Sequence, residues 1–383
     1  MPPFAFTTSG AIRFGRGEAI RAAGDIAALG RRILLVHGRD PSRAAPLAAA
    51  LAARGASVLR LTVASEPDLP MIETGLALAR EARALAVVSL GGGSVIDAGK
   101  AIAALVPAVR PVRDHLEVVG MGLPLDHPPL PFAALPTTAG TGAEVTRNAV
   151  IGVPEERRKV PLRDLRMLPL LAVVDPSLTD GCPRAVTLAS GLDALTQVIE
   201  PYVSRRANPL TDALCRAAIP QGIAALRRLI DGGEDRDARD AMAWVSLAGG
   251  LALANAGLGA VHGLAGPLGG ATGAAHGAIC GALLPHVLVA NRRAASGPAA
   301  DRLDEVARWI GAAFGQPLAD VGRAARHLAD WSRAAGLPGL AALGVNDDLR
   351  RAAAEASAAS SSMRANPATL ELAELAAIMR AAA

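Results

Sequence analysis

The chain has 383 residues, more than the roughly 250–300 at which one hydrophobic core tends to split, so two domains are expected. Hydrophobic residues make up 51% of it but aromatic residues only 2%, which excludes stacking platforms for bases and demands a core packed from Ala, Leu, Val and Gly. A formal charge of +4, from 39 basic and 35 acidic residues scattered without long runs, argues against a nucleic-acid partner.

The opening MPPFAFTTSGAIRFGRG lacks the cationic start, apolar stretch and small-residue cleavage site of a secretory signal. Cys182, Cys215 and Cys280 are widely spaced with no C-x-x-C, as in a reduced compartment, so a cytoplasmic location is expected. Apolar runs then follow at RRILLVHG, ASVLRLTV, RALAVVSLGGG and PPLPFAALPTT, each closed by turn residues, and the stretches between the first three have helical composition. That alternation predicts a parallel sheet with crossover helices, whose ligands gather beyond the carboxyl ends of the strands. LLAVVDPSL, from Leu170 to Leu178, reads as the last strand of this domain.

Two loops carry chemistry. LAVVSLGGGSVIDAGKAIAAL places three glycines and Ser94 between a strand and a helix, where a backbone free of Cβ can approach a phosphate and the helix amides can bind it. It is neither G-x-G-x-x-G nor a Walker loop, since Ala101 follows Lys100, and the same residues would also serve a tight turn with no ligand. LPTTAGTGAEVT, from Leu135 to Thr146, adds the hydroxyls of Thr137, Thr138 and Thr141 beside Gly140 and Gly142. Two such loops on successive strands suit a dinucleotide.

Beyond Cys182 the apolar positions recur at helical spacing, as at Leu303, Val306, Ala307 and Ile310, so the chain is divided into an α/β domain over 1–182 and an all-helical domain over 183–383. RAAAEASAASSSMRA is expected as surface helix and loop. From Ala241 to Asn291 there is no Asp, Glu, Lys or Arg. Asn255, His262, Pro267, His276, Pro285 and His286 interrupt this stretch, which therefore reads as buried helical core, not a membrane span of about 20 apolar residues. The segment between His262 and His276 is then a loop or a pair of helix ends at the bottom of a cleft.

GGGSVIDAGK, LPTTAGTGAEVT, LPLLAVVDPSLT, SGLDALTQVIEPYVS, VHGLAGPLGG and AHGAICGALLPHV stand in the order found in the iron-containing (group III) alcohol dehydrogenase family, and the chain resembles that family over nearly its whole length. The resemblance implies a Rossmann-like domain that binds NAD or NADP, a helical domain that holds Fe2+ or Zn2+, and a homodimer. It implies coenzyme contacts at Gly92, Gly93, Ser94, Asp97, Thr137, Thr138 and Thr141, with Lys159 near the ribose and Leu178 packed against it. Gly38 stands where many NAD-preferring members have an Asp. With Arg39 and Arg43 nearby, a 2′-phosphate would not be repelled, although Asp40 lies beside them.

The family's metal ligands correspond to Asp193, Gln197, His262 and His276, with Asp193 and Gln197 four apart and so on one helix face. Two positions depart from the pattern. Gln197 replaces a ligand histidine with a neutral, weaker donor, and Gly266 replaces an auxiliary histidine that serves proton transfer. Gln197 could instead be hydrogen-bonded in the core, leaving a three-ligand site of Asp193, His262 and His276. Gly266 implies a wider pocket.

The expected activity is hydride transfer between nicotinamide and a small alcohol, aldehyde, ketone or oxo acid whose oxygen is held by the metal in the cleft between domains. A metal-independent reduction of the maleylacetate reductase type, suggested by FAFTTSGAIRFGRG, is an alternative. So are a lyase of the dehydroquinate synthase type, disfavoured by the charge-free segment, and a relative that only binds nucleotide.

Overall fold

The computed structural model describes residues 3–156, 158–358 and 360–383. They divide into two compact units, one made of Thr8–Thr138 with Gly142–Thr179, the other of Asp180–Ala383 with Ala139–Thr141 and a segment ending at Thr7.

The first unit runs β1 (Ala11–Phe14), α1 (Glu18–Arg21), α2 (Ala23–Leu29), β2 (Arg32–His37), α3 (Ala45–Ala53), β3 (Ser57–Thr62), α4 (Leu69–Glu81), β4 (Ala86–Gly91), α5 (Gly93–Leu105), α6 (Val112–His115), β5 (Phe132–Pro136), β6 (Asn148–Val153), β7 (Arg158–Arg163) and β8 (Leu171–Val174). Six strands form a parallel sheet in the order β1-β8-β5-β4-β2-β3. β4 and β5 are buried at every position, which is why they read as unbroken apolar runs. Alternate side chains feed two cores: Leu34, Val36 and Val87 pack with Ile72, Ile96 and Ile102, whereas Ile33, Leu35 and Val88 pack with Ile26, Leu47 and Leu51.

Two features of this unit were not anticipated. β1 is a four-residue edge strand, mostly exposed, and too short to show a period. β6 and β7 form an antiparallel hairpin whose charged residues and Pro161 read as loop. β1 pairs with the anticipated β8, which lies between β1 and β5, whereas β6 and β7 form a separate two-stranded sheet.

Helix α5 is held tightly on the sheet. A Cβ at Gly99 would lie 2.0 Å from Ser89 Oγ, so only glycine lets the helix settle on β4 and aim its N-terminus at the strand's end. One residue on, the buried Lys100 ammonium donates to the carbonyls of Ala143 (2.7 Å), Thr146 (2.8 Å) and Asn148 (3.0 Å), pinning the chain that follows the threonine loop. Burial pushes its pKa down to about 8.

The second unit is helical: α7 (Arg184–Val203), α8 (Pro209–Gly232), α9 (Arg236–Ala256), α10 (Ala260–Thr272), α11 (His276–Ala294), α12 (Gly297–Ala313), α13 (Val321–Ala334), α14 (Asp347–Ala358), α15 (Ser361–Ala365) and α16 (Leu372–Ala381). RAAAEASAASSSMRA falls on α14 and α15, apart from Ser360, which caps α15, and residue 359, which lies outside the described residues. The charge-free stretch supplies most of α9 and α11 and all of α10, with much of it in one core with α7. Among the described residues no single helix is long and apolar enough to cross a membrane, and α9 and α10 meet at a bend of 100°.

Small residues set the helix spacing. A Cβ at Gly277 would lie 2.3 Å from the Ala189 carbonyl oxygen, and one at Gly281 2.6 Å from Leu192 Cδ1, so α11 can lie on α7 only because these positions are bare. Gly140 packs in the same way, 2.8 Å from Ser190 Cβ, which draws residues 139–141 onto α7. Gly266, by contrast, faces open space. Gly277→Ala should therefore cost about 1–3 kcal/mol in urea unfolding, while Gly266→Ala stays within about 1 kcal/mol of the parent. Equal stabilities for the two variants would contradict this reading of the helix spacing.

Candidate metal centre and coenzyme loops

In the sheet unit, β4 and β5 run parallel with Gly91 opposite Pro136, so their loops leave side by side. Thr137 N donates to the Gly91 carbonyl at 3.0 Å, and a Cβ on Gly92 would come within 3.3 Å of Thr138 Oγ1. Gly92, Gly93 and Ser94 therefore present a helix N-terminus beside two threonines, a geometry that suits a phosphate. Asp97, one turn further, accepts from Val150 N at 3.0 Å and ties α5 to the hairpin.

Gly38 directly follows β2, and a Cβ there meets nothing within 4 Å. Asp40 accepts from Ser42 N (2.9 Å) and Ser42 Oγ (2.6 Å), capping its own turn, so its carboxylate is already engaged. Arg39 donates to the Ala64 carbonyl at 3.0 Å, and Arg43 reaches the Leu178 carbonyl, drawing Leu178 to the end of β2. Lys159 lies on β7 in an ion pair with Glu66. Thr141 groups with the helical unit.

In the helical unit, α7 carries Asp193 and Gln197, both 2% exposed. His262 comes from the first turn of α10, and His276 opens α11. His262 Nε2 lies 3.3 Å and His276 Nε2 3.7 Å from Asp193 Oδ1, an oxygen that has no hydrogen bond although it is buried. Cys280, one turn beyond His276, brings its Sγ to 3.6 Å from His276 Nε2. The donor atoms of Asp193, His262, His276 and Cys280 all lie within 4.8 Å of one another.

Gln197 Nε2 donates to the Gly140 carbonyl at 2.9 Å. That bond turns the amide nitrogen, which cannot ligate a cation, toward the chain segment that Gly140 brings onto α7. The amide oxygen is buried without a hydrogen-bond partner.

Glu200, two turns beyond Asp193 on α7, organises the other side of His262. Its Oε2 lies 2.7 Å from His262 Nδ1 and its Oε1 accepts from Val261 N at 2.7 Å, so one buried carboxylate caps α10 and orients the ring. A Cβ at Gly259 would sit 2.8 Å from that Oε1, so glycine is required there. With Nδ1 occupied by Glu200, Nε2 is the nitrogen turned to Asp193.

The charges in the pocket reinforce one another. Burial would raise Asp193, but the imidazoles of His276 and His262 outweigh it and hold the carboxyl below its ordinary range. Burial lowers His262, yet Cys280, Asp193 and Glu200 raise it well above a free imidazole. Cys280 and Asp193 raise His276 to about 9. The pocket is built to stabilise positive charge.

Cys280 and Glu200 were not singled out from the sequence. The signal was helical spacing: Cys280 is four residues after His276, and Glu200 seven after Asp193, so each shares a helix face with a residue already identified.

The models of the iron-containing alcohol dehydrogenase family and of its C-terminal part match residues 9–176 and 187–383. Lactaldehyde reductase of Escherichia coli (strain K12) is 39% identical over 229 residues, 60% of this chain and 59% of that protein. The matched stretches span 58 to 64% of the length of the first curated relatives. Among solved structures, a 1,3-propanediol oxidoreductase shares a TM-score of 0.89 and 31% identity over 100% of both chains. Sulfoacetaldehyde reductase from Bifidobacterium kashiwanohense, in complex with NAD+, gives 0.85 and 26% over 100% of this chain and 99% of that one. The chain belongs to the iron-containing alcohol dehydrogenase family.

Proposed function

We propose that the protein is an NAD(P)-dependent oxidoreductase that exchanges hydride between nicotinamide and a small alcohol or the matching aldehyde or ketone. In this reading Asp193, His262 and His276 hold Fe2+ or Zn2+. The observation that carries it is the buried Asp193 Oδ1, which has no hydrogen bond and faces two imidazole nitrogens at 3.3 and 3.7 Å. A buried carboxylate oxygen without a donor is costly, and a cation bound there would remove the cost. The donor types also suit the metal, since carboxylate and imidazole are common ligands of Fe2+ and Zn2+.

A divalent ion at this site supplies Lewis-acid activation of the substrate oxygen during hydride exchange. The chain's own part is to place and exclude. Glu200 fixes the ring of His262, and the bare Gly277 lets the partly exposed His276 meet Asp193. Glycine at 266 leaves room one turn beyond His262, in keeping with relatives named for lactaldehyde and 1,3-propanediol. Gly266 bears no acid or base, so this position would not itself move a proton.

The coenzyme is assigned to the ends of β2, β4 and β5, with its phosphates on Gly92, Gly93 and Ser94 and beside Thr137 and Thr138, and Asp97, Thr141, Lys159 and Leu178 as further contacts. The family relative bound to NAD+ supports a dinucleotide. Within that class we assign NADP, because Gly38 leaves space, Asp40 is held by Ser42, and Arg39 and Arg43 stand at the same strand end.

Purified protein should carry about one Fe or Zn per chain by elemental analysis. Asp193→Asn and His276→Ala should each lose that metal and about 100-fold or more in kcat/KM for a short aldehyde. Full activity in chelated, metal-free wild type would overturn the metal role. Gly38→Asp should lower kcat/KM for NADPH relative to NADH by about tenfold, since a carboxylate there repels a 2′-phosphate. An unchanged ratio would remove the basis for assigning NADP.

A further inference from the structure

We propose that Cys280 is a ligand of the metal centre in this chain, so that the cation meets one carboxylate oxygen, two imidazole nitrogens and one sulfur. The inference rests on the metal reading of Asp193, His262 and His276 given above. Three observations carry it. The first is distance. Tetrahedral bonds of about 2.0–2.2 Å to oxygen or nitrogen and about 2.3 Å to sulfur set the donors about 3.3–3.6 Å apart. Here they are separated by 3.3 Å (Asp193 to His262), 3.7 Å (Asp193 to His276) and 3.6 Å (His276 to Cys280), and all four donors lie within 4.8 Å of one another.

The second is the buried, unbonded Asp193 Oδ1 inside that cluster, an oxygen that a bound cation would satisfy whether or not the thiol took part. The third is the state of Gln197. It stands where the family pattern has a ligand histidine; its amide nitrogen is bound to the Gly140 carbonyl, and its buried amide oxygen, which has no hydrogen bond, is a neutral and weaker donor than the imidazole it replaces. The site has lost an imidazole from α7, and a thiol stands one helical turn from His276 on α11, itself fully buried.

The exchange has a chemical consequence. On coordination the thiol proton passes to solvent and a sulfur–metal bond forms, with no change of oxidation state. Asp193 and the thiolate then balance the two charges of the ion, which Asp193 and a neutral glutamine would not. Sulfur also biases the site toward Zn2+ or Fe2+ and away from Mg2+ and Mn2+.

Co2+ is the probe, because a sulfur ligand gives it a near-ultraviolet charge-transfer band that oxygen and nitrogen donors do not. Full-length protein, freed of metal, is titrated with Co2+ and its spectrum compared with those of Cys280→Ser, His276→Ala and the control pair Cys182→Ser and Cys215→Ser. The expected result is one Co2+ per chain with the charge-transfer band in wild type and in both controls. Cys280→Ser should lose the band, bind Co2+ about tenfold or more weakly, and keep its unfolding midpoint. Co2+ bound through visible bands alone, without the sulfur band, would overturn the assignment of Cys280 while leaving the three-ligand metal site standing. No Co2+ binding at all would overturn both. The wild-type spectrum decides between these outcomes even if Cys280→Ser fails to fold, and Cys280→Ala then provides the second variant.

Discussion

A carboxylate oxygen buried without a hydrogen bond is the constraint around which the helical unit is arranged. Asp193 Oδ1 lies deep in α7, the most enclosed helix of that unit, and its neighbours are two imidazole nitrogens and a sulfur. Burial alone would drive such a group to take up a proton. The imidazoles hold it in the opposite direction, below the ordinary carboxylate range, while they themselves are raised. A divalent ion bound there would bring the positive charge that favours the ionised carboxylate.

That arrangement depends on backbone proximity more than on any one ligand. α11 lies on α7 because Gly277 and Gly281 are bare, and α10 starts where it does because Gly259 leaves room for Glu200. In a chain with 2% aromatic residues and 40 glycines, close helix contact replaces large side chains as the means of filling the core. The sheet unit follows the same rule. Gly99 seats α5 on β4, and Lys100 then fixes the chain beyond the threonine loop, so glycine supplies the approach and a buried cation the lock.

Much of this was legible in the sequence, for identifiable reasons. Strands buried on both faces are apolar runs, so β2, β4, β5 and β8 stood out, and the partly buried edge strand β3 did so through Val58, Leu59 and Leu61, whereas β1, four residues at an edge, and the charged hairpin of β6 and β7 did not. The metal residues were legible through order and spacing, but spacing could not say what each side chain touches. Gln197 has the right place on α7, yet only the fold shows its amide nitrogen on Gly140, because residues 139–141 reach α7 from far away in sequence. Cys280 and Glu200 sat in plain view at helical intervals and were passed over for the same reason. A periodic position carries no chemistry until a partner is brought to it.

The central claim is that a divalent cation bridges Asp193, His262 and His276. The most direct measurement is anomalous diffraction from crystals grown with Zn2+, collected on either side of the zinc absorption edge. The account predicts a single anomalous peak about 2.0–2.2 Å from Asp193 Oδ1, His262 Nε2 and His276 Nε2. No peak at this site in protein that still reduces aldehydes would contradict it.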